Sequence, residues 1–215
     1  MNNVIDKLVL VFHHIDDLSW LNELKYPFIV ISSNGSEEKT PENLGGQEYK
    51  MFDWIVRNYD RIPTWLFSIH GHKYSYHHSG SLSSLVNSQL FDRKYRNINN
   101  RLILSKEDVR RDLHDNGFVE IVDEHLPEFL SILNMDPSIT FDQIQSKHSS
   151  QFYVHNSLIY QYSVDQWKQL MELHDKIRDS HEPLLFSQTT SLRIASAFFE
   201  VLLNLMFTRT LMEEY

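Results

Sequence analysis

Three continuous apolar runs dominate the first third of the chain: Leu8-Val9-Leu10-Val11-Phe12, Phe28-Ile29-Val30-Ile31 and Trp65-Leu66-Phe67-Ser68-Ile69. Each is short and rich in β-branched or aromatic residues, so each predicts a strand. Continuous rather than alternating apolarity predicts burial on both faces, as in a parallel sheet. Between the runs the spacing turns helical. Leu18, Leu21 and Leu24 share one face of a short helix over 17–24, and Phe52, Ile55, Val56 and Tyr59 recur along a clearer one over 47–59. The order strand, helix, strand, helix, strand predicts right-handed crossovers and a sheet covered on both faces. Ser33-Asn34-Gly35 supplies a turn after the second run, Gly45-Gly46 precedes the second helix, and Pro63 stands before the third run. The polar segment 36–44 reads as a loop over the sheet edge.

The remaining pattern is less regular. It predicts a helix over 81–90, short strands over 101–104 and 117–122, a helix over 126–133 and a strand over 151–155. Ser163 and Gln166 form a capping box that opens a helix carrying Val164, Trp167, Leu170, His174 and Ile177 on one face. Pro183 breaks the chain before the most apolar stretch, 191–207, which reads as a buried helix because Arg193, Glu200 and Asn204 interrupt it. The expected fold is a single α/β domain spanning 1–215, with a central, mostly parallel sheet flanked by helices.

Composition narrows the chemistry. A chain of 215 residues builds a sizeable core without metal or disulfide staples, and the absence of cysteine excludes disulfides, thiolate zinc sites and cysteine nucleophiles. The net charge of −9 disfavours nucleic acid as a partner. The densest basic stretch, Arg93 to Arg101, reads as a solvated loop. Met1 to Lys7 is polar, and no segment approaches the roughly 20 apolar residues of a membrane span. A cytoplasmic, soluble protein is expected.

Ligands of open parallel sheets bind beyond the carboxyl ends of the strands. Three polar clusters fall there: His13, His14, Asp16 and Asp17 after the first run, Ser32, Ser33 and Asn34 after the second, and His70, Gly71 and His72 after the third. The chain holds 12 histidines, and the densest group is His70, His72, His77 and His78. Residues at i and i+2 of an extended segment point the same way, so His70 and His72 are candidate ligands of one divalent metal; hydrogen bonding to backbone or substrate is the alternative. Asp16 and Asp17 suit either helix capping or ligand contact. Gln47 and Glu48, after Gly45-Gly46, stand at a helix start that suits an anion, or is a plain helix start. Glu200, in an apolar helix, is either a general base or the structural partner of Arg193 or Arg209.

Asp16-Asp17-Leu18-Ser19-Trp20-Leu21 after an apolar strand resembles the opening of a family catalogued as domain of unknown function 3431. The resemblance continues through Asn43-Leu44-Gly45-Gly46-Gln47-Glu48-Tyr49, one residue longer before Glu48 than the family pattern, through Asn58-Tyr59-Asp60-Arg61-Ile62-Pro63, and through the Gly-His pair of His70-Gly71-His72. Ser150-Gln151-Phe152-Tyr153-Val154 and Phe199-Glu200 resemble it more loosely, and Leu203-Asn204 replaces the family's Trp-His. The family layout is similar to nucleotide-sugar transferases of the GT-A type, which begin with a strand and an acidic turn at the nucleotide. It implies a glycosyltransferase with a nucleotide-sugar donor and a glycan acceptor. His13, Asp16, Asp17, Ser33, Asn34, Gln47 and Glu48 would then bind the donor. His70 and His72 would stand at the diphosphate or at a metal (Mn or Mg, less readily Zn), with Glu200, His77 or His78 as the base. GT-A enzymes carry an Asp-x-Asp motif where this chain has His70-Gly71-His72. Two alternatives remain: a metal-dependent hydrolase built on the His70–His78 cluster, and a non-catalytic carbohydrate-binding module with Trp20, Trp54, Tyr74 and Tyr76 as sugar platforms, core packing being the other reading of Trp20 and Trp54.

Overall fold

All three apolar runs form strands: β1 (Lys7–His13), β2 (Phe28–Ser32) and β3 (Trp65–His70). Two more follow, β4 (Tyr95–Asn97) and β5 (Phe152–His155), to give a five-stranded sheet in the order β2-β1-β3-β5-β4. These elements belong to a computed structural model that describes residues 6–13, 16–32, 46–75, 78–99, 118–144, 150–185 and 191–211. The fold is α/β.

The sheet is mixed rather than mostly parallel. β1 pairs in parallel with β2 and β3, but β5 pairs antiparallel with both β3 and β4. An apolar run encodes burial, not direction, so nothing in Phe152–His155 marked it as the reversed strand. β1 and β3 are buried along their centres as expected. β2 is not, because it lies at the edge: Phe28, Ile29 and Val30 remain 39%, 41% and 37% exposed.

Contacts group the chain into two units. The sheet unit comprises Met1–Leu44, Asn58–Leu102 and Ser149–Gln161; the helical unit comprises Gly45–Arg57, Ile103–His148 and Tyr162–Tyr215. In the sheet unit one face of β1, β3 and β5 presents Val9, Val11, Phe67, Ile69 and Tyr153 to a core. Trp20 and Leu21 of a 3-10 turn (Ser19–Glu23) and Leu82 and Val86 of α2 (Leu82–Asn87) complete it. The expected helix over 17–24 is only this 3-10 turn. Its three leucines face inward, but the segment is too short to pay the cost of helix nucleation. Ser81 caps α2 by accepting from the Ser84 amide at 3.3 Å. The sheet unit also contains the one-turn helix α4 (Asn156–Ile159).

The helical unit carries α1 (Gln47–Asn58, its last residue in the sheet unit), α3 (Phe118–Ile132), α5 (Val164–Leu185) and α6 (Ser191–Thr208). Phe52, Phe129, Trp167, Phe198, Phe199 and Phe207 fill its core. Ser163 opens α5 with the expected capping box: its amide donates to Gln166 Oε1 at 2.9 Å and its Oγ accepts from the Gln166 amide at 3.2 Å. Gln166 also donates to the Ile132 carbonyl at 2.6 Å, which ties the end of α3 to the start of α5. Where a strand was expected over 117–122, the described residues 118–122 instead begin α3. Phe118, Val119, Ile121 and Val122 are followed by His125, Leu126, Phe129 and Leu130, all buried, so one helical stripe overrides the local β-branched preference. α5 runs past Pro183 to Leu185 rather than stopping before it. The segment Arg93 to Arg101, expected as a loop, contains β4, which three residues with a single aromatic do not announce. The strand expected over 101–104 lies outside the described residues.

Candidate functional site

The chain leaves β1 toward β2 on one side and later enters β3 on the other, so β1 and β3 flank a topological switch point. Ligands of open α/β sheets bind beyond the carboxyl ends of the strands at such a point. His13 ends β1 and His70 ends β3. Just beyond them the Gly71 amide donates to the Phe12 carbonyl at 2.9 Å, and the Trp20 indole Nε1–H donates to the Gly71 carbonyl at 2.7 Å. Gly71 is thus fixed from both sides. A Cβ at this position would stand 2.7 Å from Asp16 Oδ2 and 3.3 Å from His13 Cα, so only glycine admits the Asp16 carboxylate at this distance.

Around that glycine the side chains gather. His13 Nδ1 lies 3.7 Å from Asp16 Oδ2. His70 Nδ1 and His72 Nε2 are 3.3 Å apart. Burial pushes the His72 imidazole below its ordinary pKa, with the negative charge of Asp16 opposing the shift. His72 is therefore neutral at pH 7 and carries a lone pair. Asp17 forms a local turn with Ser19, accepting from its amide and hydroxyl, both at 2.9 Å; the two bonds hold its carboxyl below the usual carboxylate range. Asp17 is thus engaged locally, while Asp16 faces the glycine.

A cavity of about 470 Å³ opens beside this cluster, lined by Asp16, Asp17, Ser19, Trp20, Glu23, His72, Lys73 and Tyr74. That is within the usual size of a small-molecule site. Lys73 donates to Glu23 at 2.6 Å and Ser83 donates to the other Glu23 oxygen at 2.7 Å, which lowers the Glu23 pKa and raises that of Lys73. A larger cavity, about 520 Å³, lies in the helical unit between Glu128, Ser131, Gln166 and Glu172, but its lining carries no histidine and no aromatic ring. The smaller one is the better candidate because titratable groups converge on it.

The Gln151 side chain holds the end of β3. It is fully buried; its Oε1 accepts from the His70 amide at 3.4 Å and its Nε2 donates to Asn99 Oδ1 at 2.9 Å. The Asn99 amide donates in turn to Asn97 Oδ1 at 2.9 Å. The chain from His70 to Asn97 thus links the ends of β3, β5 and β4. Sequence reasoning assigned no role to Gln151, Asn99, Glu23 or Lys73, although Gln151 stands in the stretch that resembles the family and Lys73 within the His70–His78 cluster.

The other expected residues fall elsewhere. Ser33, Asn34 and His77 lie outside the described residues, as do His14 and Tyr76. His78 is buried, with Nδ1 3.1 Å from the Gly80 carbonyl oxygen. Gln47, Glu48 and Glu200 belong to the helical unit: the first two start α1, with Glu48 2% exposed, and Glu200 sits half-buried in α6. Trp20 is core rather than platform, and Trp54 is half-buried in α1. Among the described residues no group of three or more His, Asp or Glu is placed to hold a metal ion. The His70–His72 pair alone does not complete a coordination shell. Among the described residues no helix is long and apolar enough to cross a membrane.

A family model, protein of unknown function (DUF3431), matches residues 8–213. The chain belongs to the DUF3431 family. No curated protein and no solved structure matches it significantly. In this DUF3431 member, the family match covers every strand but the first residue of β1, and all the residues gathered around Gly71.

Proposed function

We propose that the protein is a glycosyltransferase that takes a nucleotide-sugar donor. The observation that carries the reading is a neutral imidazole, His72, that feels the charge of the Asp16 carboxylate, which itself lies against the side-chain-free Gly71 at the β1/β3 switch point. Glycosyl transfer requires a base that is unprotonated at neutral pH and within reach of an acceptor hydroxyl. The acceptor oxygen attacks the anomeric carbon, and the bond to the diphosphate breaks with its electron pair leaving on the nucleotide. The hydroxyl proton passes to a ring nitrogen of His72. Asp16 stabilises the imidazolium that forms, as its opposing effect on the His72 pKa implies. This makes His72 the base in preference to Glu200 or His78. The donor is assigned to the side of the site that holds His13 and His70, where imidazole groups can meet phosphate oxygens. The first strand with its acidic turn is also similar to the GT-A layout, an argument from fold alone.

The test is calorimetry with uridine and guanosine diphosphate sugars, with and without manganese, alongside His72→Gln. The expected result is a dissociation constant below about 1 mM, or some 4 kcal/mol of binding, for one nucleotide family. His72→Gln should retain binding and lose transfer. If neither nucleotide family binds at that level, the proposal falls.

A further inference from the structure

The cavity beside Asp16 is the wrong place for a diphosphate. Its wall carries three carboxylates, Asp16, Asp17 and Glu23, against one cation, Lys73, whose ammonium is already held by Glu23. His72, neutral through burial, does not offset the difference. Asp17 and Glu23 are held ionised, Asp17 by Ser19 and Glu23 by Lys73 and Ser83. An anion entering here meets uncompensated negative charge. A carboxylate has about four lone-pair sites, and the bonds shown to Asp17 and Glu23 use two on each. Both carboxylates therefore retain capacity to accept from hydroxyl groups. On the same wall Tyr74 presents its ring to solvent, 67% exposed, with the Lys73 ammonium 5.7 Å from the ring centroid. Hydroxyl-accepting carboxylates around an exposed aromatic face suit a flat ring that is apolar on its faces and a hydrogen-bond donor on its rim.

From this arrangement we infer that the cavity is the acceptor subsite and takes an uncharged sugar ring, stacked on Tyr74 with its hydroxyls donated to Asp16, Asp17 and Glu23. The inference deepens the transferase reading and rests on it for the word acceptor, but the binding chemistry stands on the cavity alone. The subsite selects against uronic acids and sugar phosphates by charge, and it brings an acceptor hydroxyl to His72, which lines the same cavity.

The test is saturation-transfer NMR and titration on the full chain. The probes are maltose, cellobiose, lactose and mannobiose, the matched pair methyl glucoside and methyl glucuronide, and, separately, uridine and guanosine diphosphate. At least one neutral disaccharide is expected to bind, and the glucuronide about tenfold more weakly than the glucoside. Tyr74→Ala should weaken saccharide binding about tenfold, while Tyr74→Phe, which keeps the ring, should not. The inference is overturned if no neutral saccharide binds at 0.1 M (about the weakest useful affinity), if the glucuronide binds as well as the glucoside, or if Tyr74→Ala changes nothing. Nucleotide binding without saccharide binding removes the subsite and leaves the transferase reading standing. Saccharide binding without nucleotide binding keeps the subsite's chemistry and removes the transferase.

Discussion

His174 should make the protein acid-labile in a way that one substitution abolishes. The side chain lies on α5, fully buried, with its ring 5.1 Å from that of Tyr49 and stacked on Phe199 at 5.8 Å and 18°. Neither ring nitrogen has a hydrogen-bond partner among the described residues. Burial, reinforced by the positive charge of Arg178, pulls its pKa from 6.5 down to about 3. The folded state therefore holds a neutral imidazole over a range in which the unfolded chain takes up a proton. Stability from this group is complete above pH 6.5 and is lost as pH falls toward 3. Between pH 7.5 and pH 5.0 the loss amounts to about 2 kcal/mol, or roughly 1 M in urea midpoint. Asp175, next along the helix, has its pKa raised by burial and acts in the opposite direction, so the absolute pH profile is a sum. The comparison of slopes is cleaner. Urea denaturation of wild type and His174→Leu at both pH values isolates the histidine, whatever the variant's own stability. The wild type should lose about 2 kcal/mol more than the variant. Equal losses would refute the argument from burial.

Three further outcomes follow from the packing. Gly71→Ala should displace the Asp16 carboxylate, lower the melting temperature by a cost of about 1 kcal/mol and raise the His72 pKa less than Asp16 does now, which histidine NMR titration reads as a downward shift. Gln151→Leu should destabilise by about 1–3 kcal/mol, because it strands the Asn99 side chain and the His70 amide; a urea midpoint unchanged from wild type would show the network to be idle. Ser163→Ala should remove about 1 kcal/mol by taking away the α5 cap, with Ser163→Asp restoring most of it in the same denaturation assay.

The strands most legible in the sequence were those buried on both faces. β1 and β3 sit in the middle of the sheet, and continuous apolarity reported that directly. β2 has the same pattern, yet it is an edge, because composition records affinity for a sheet and not the number of neighbours. α5 was legible through its cap, a local hydrogen-bond pattern between Ser163 and Gln166 that needs no tertiary information. α3 was misread at its first turn because Val119, Ile121 and Val122 favour strands locally, while the stripe they join reaches Leu130. At the site, topology brought His13 and Asp16 to His70 and His72 as the strand order implied. What stayed hidden were the partners whose meaning is purely spatial: Glu23 holding Lys73 from fifty residues away, and Gln151 beneath His70.

The position of β5 has a consequence for how the protein is made. β3 ends at residue 70, but the strand that pairs with its outer side begins only at Phe152, and β4 has no neighbour in the sheet until β5 arrives. On the ribosome the unpaired edge of β3 waits for more than eighty further residues, on the order of ten seconds at ordinary rates of translation. Through that interval the nascent chain exposes the backbone donors and acceptors of a strong strand former, and pairings of such long sequence separation are slow to form. Yield in a heterologous host should therefore depend on growth temperature and chaperone supply more than the stability of the finished molecule would suggest. Truncations that end before His155 should aggregate rather than fold.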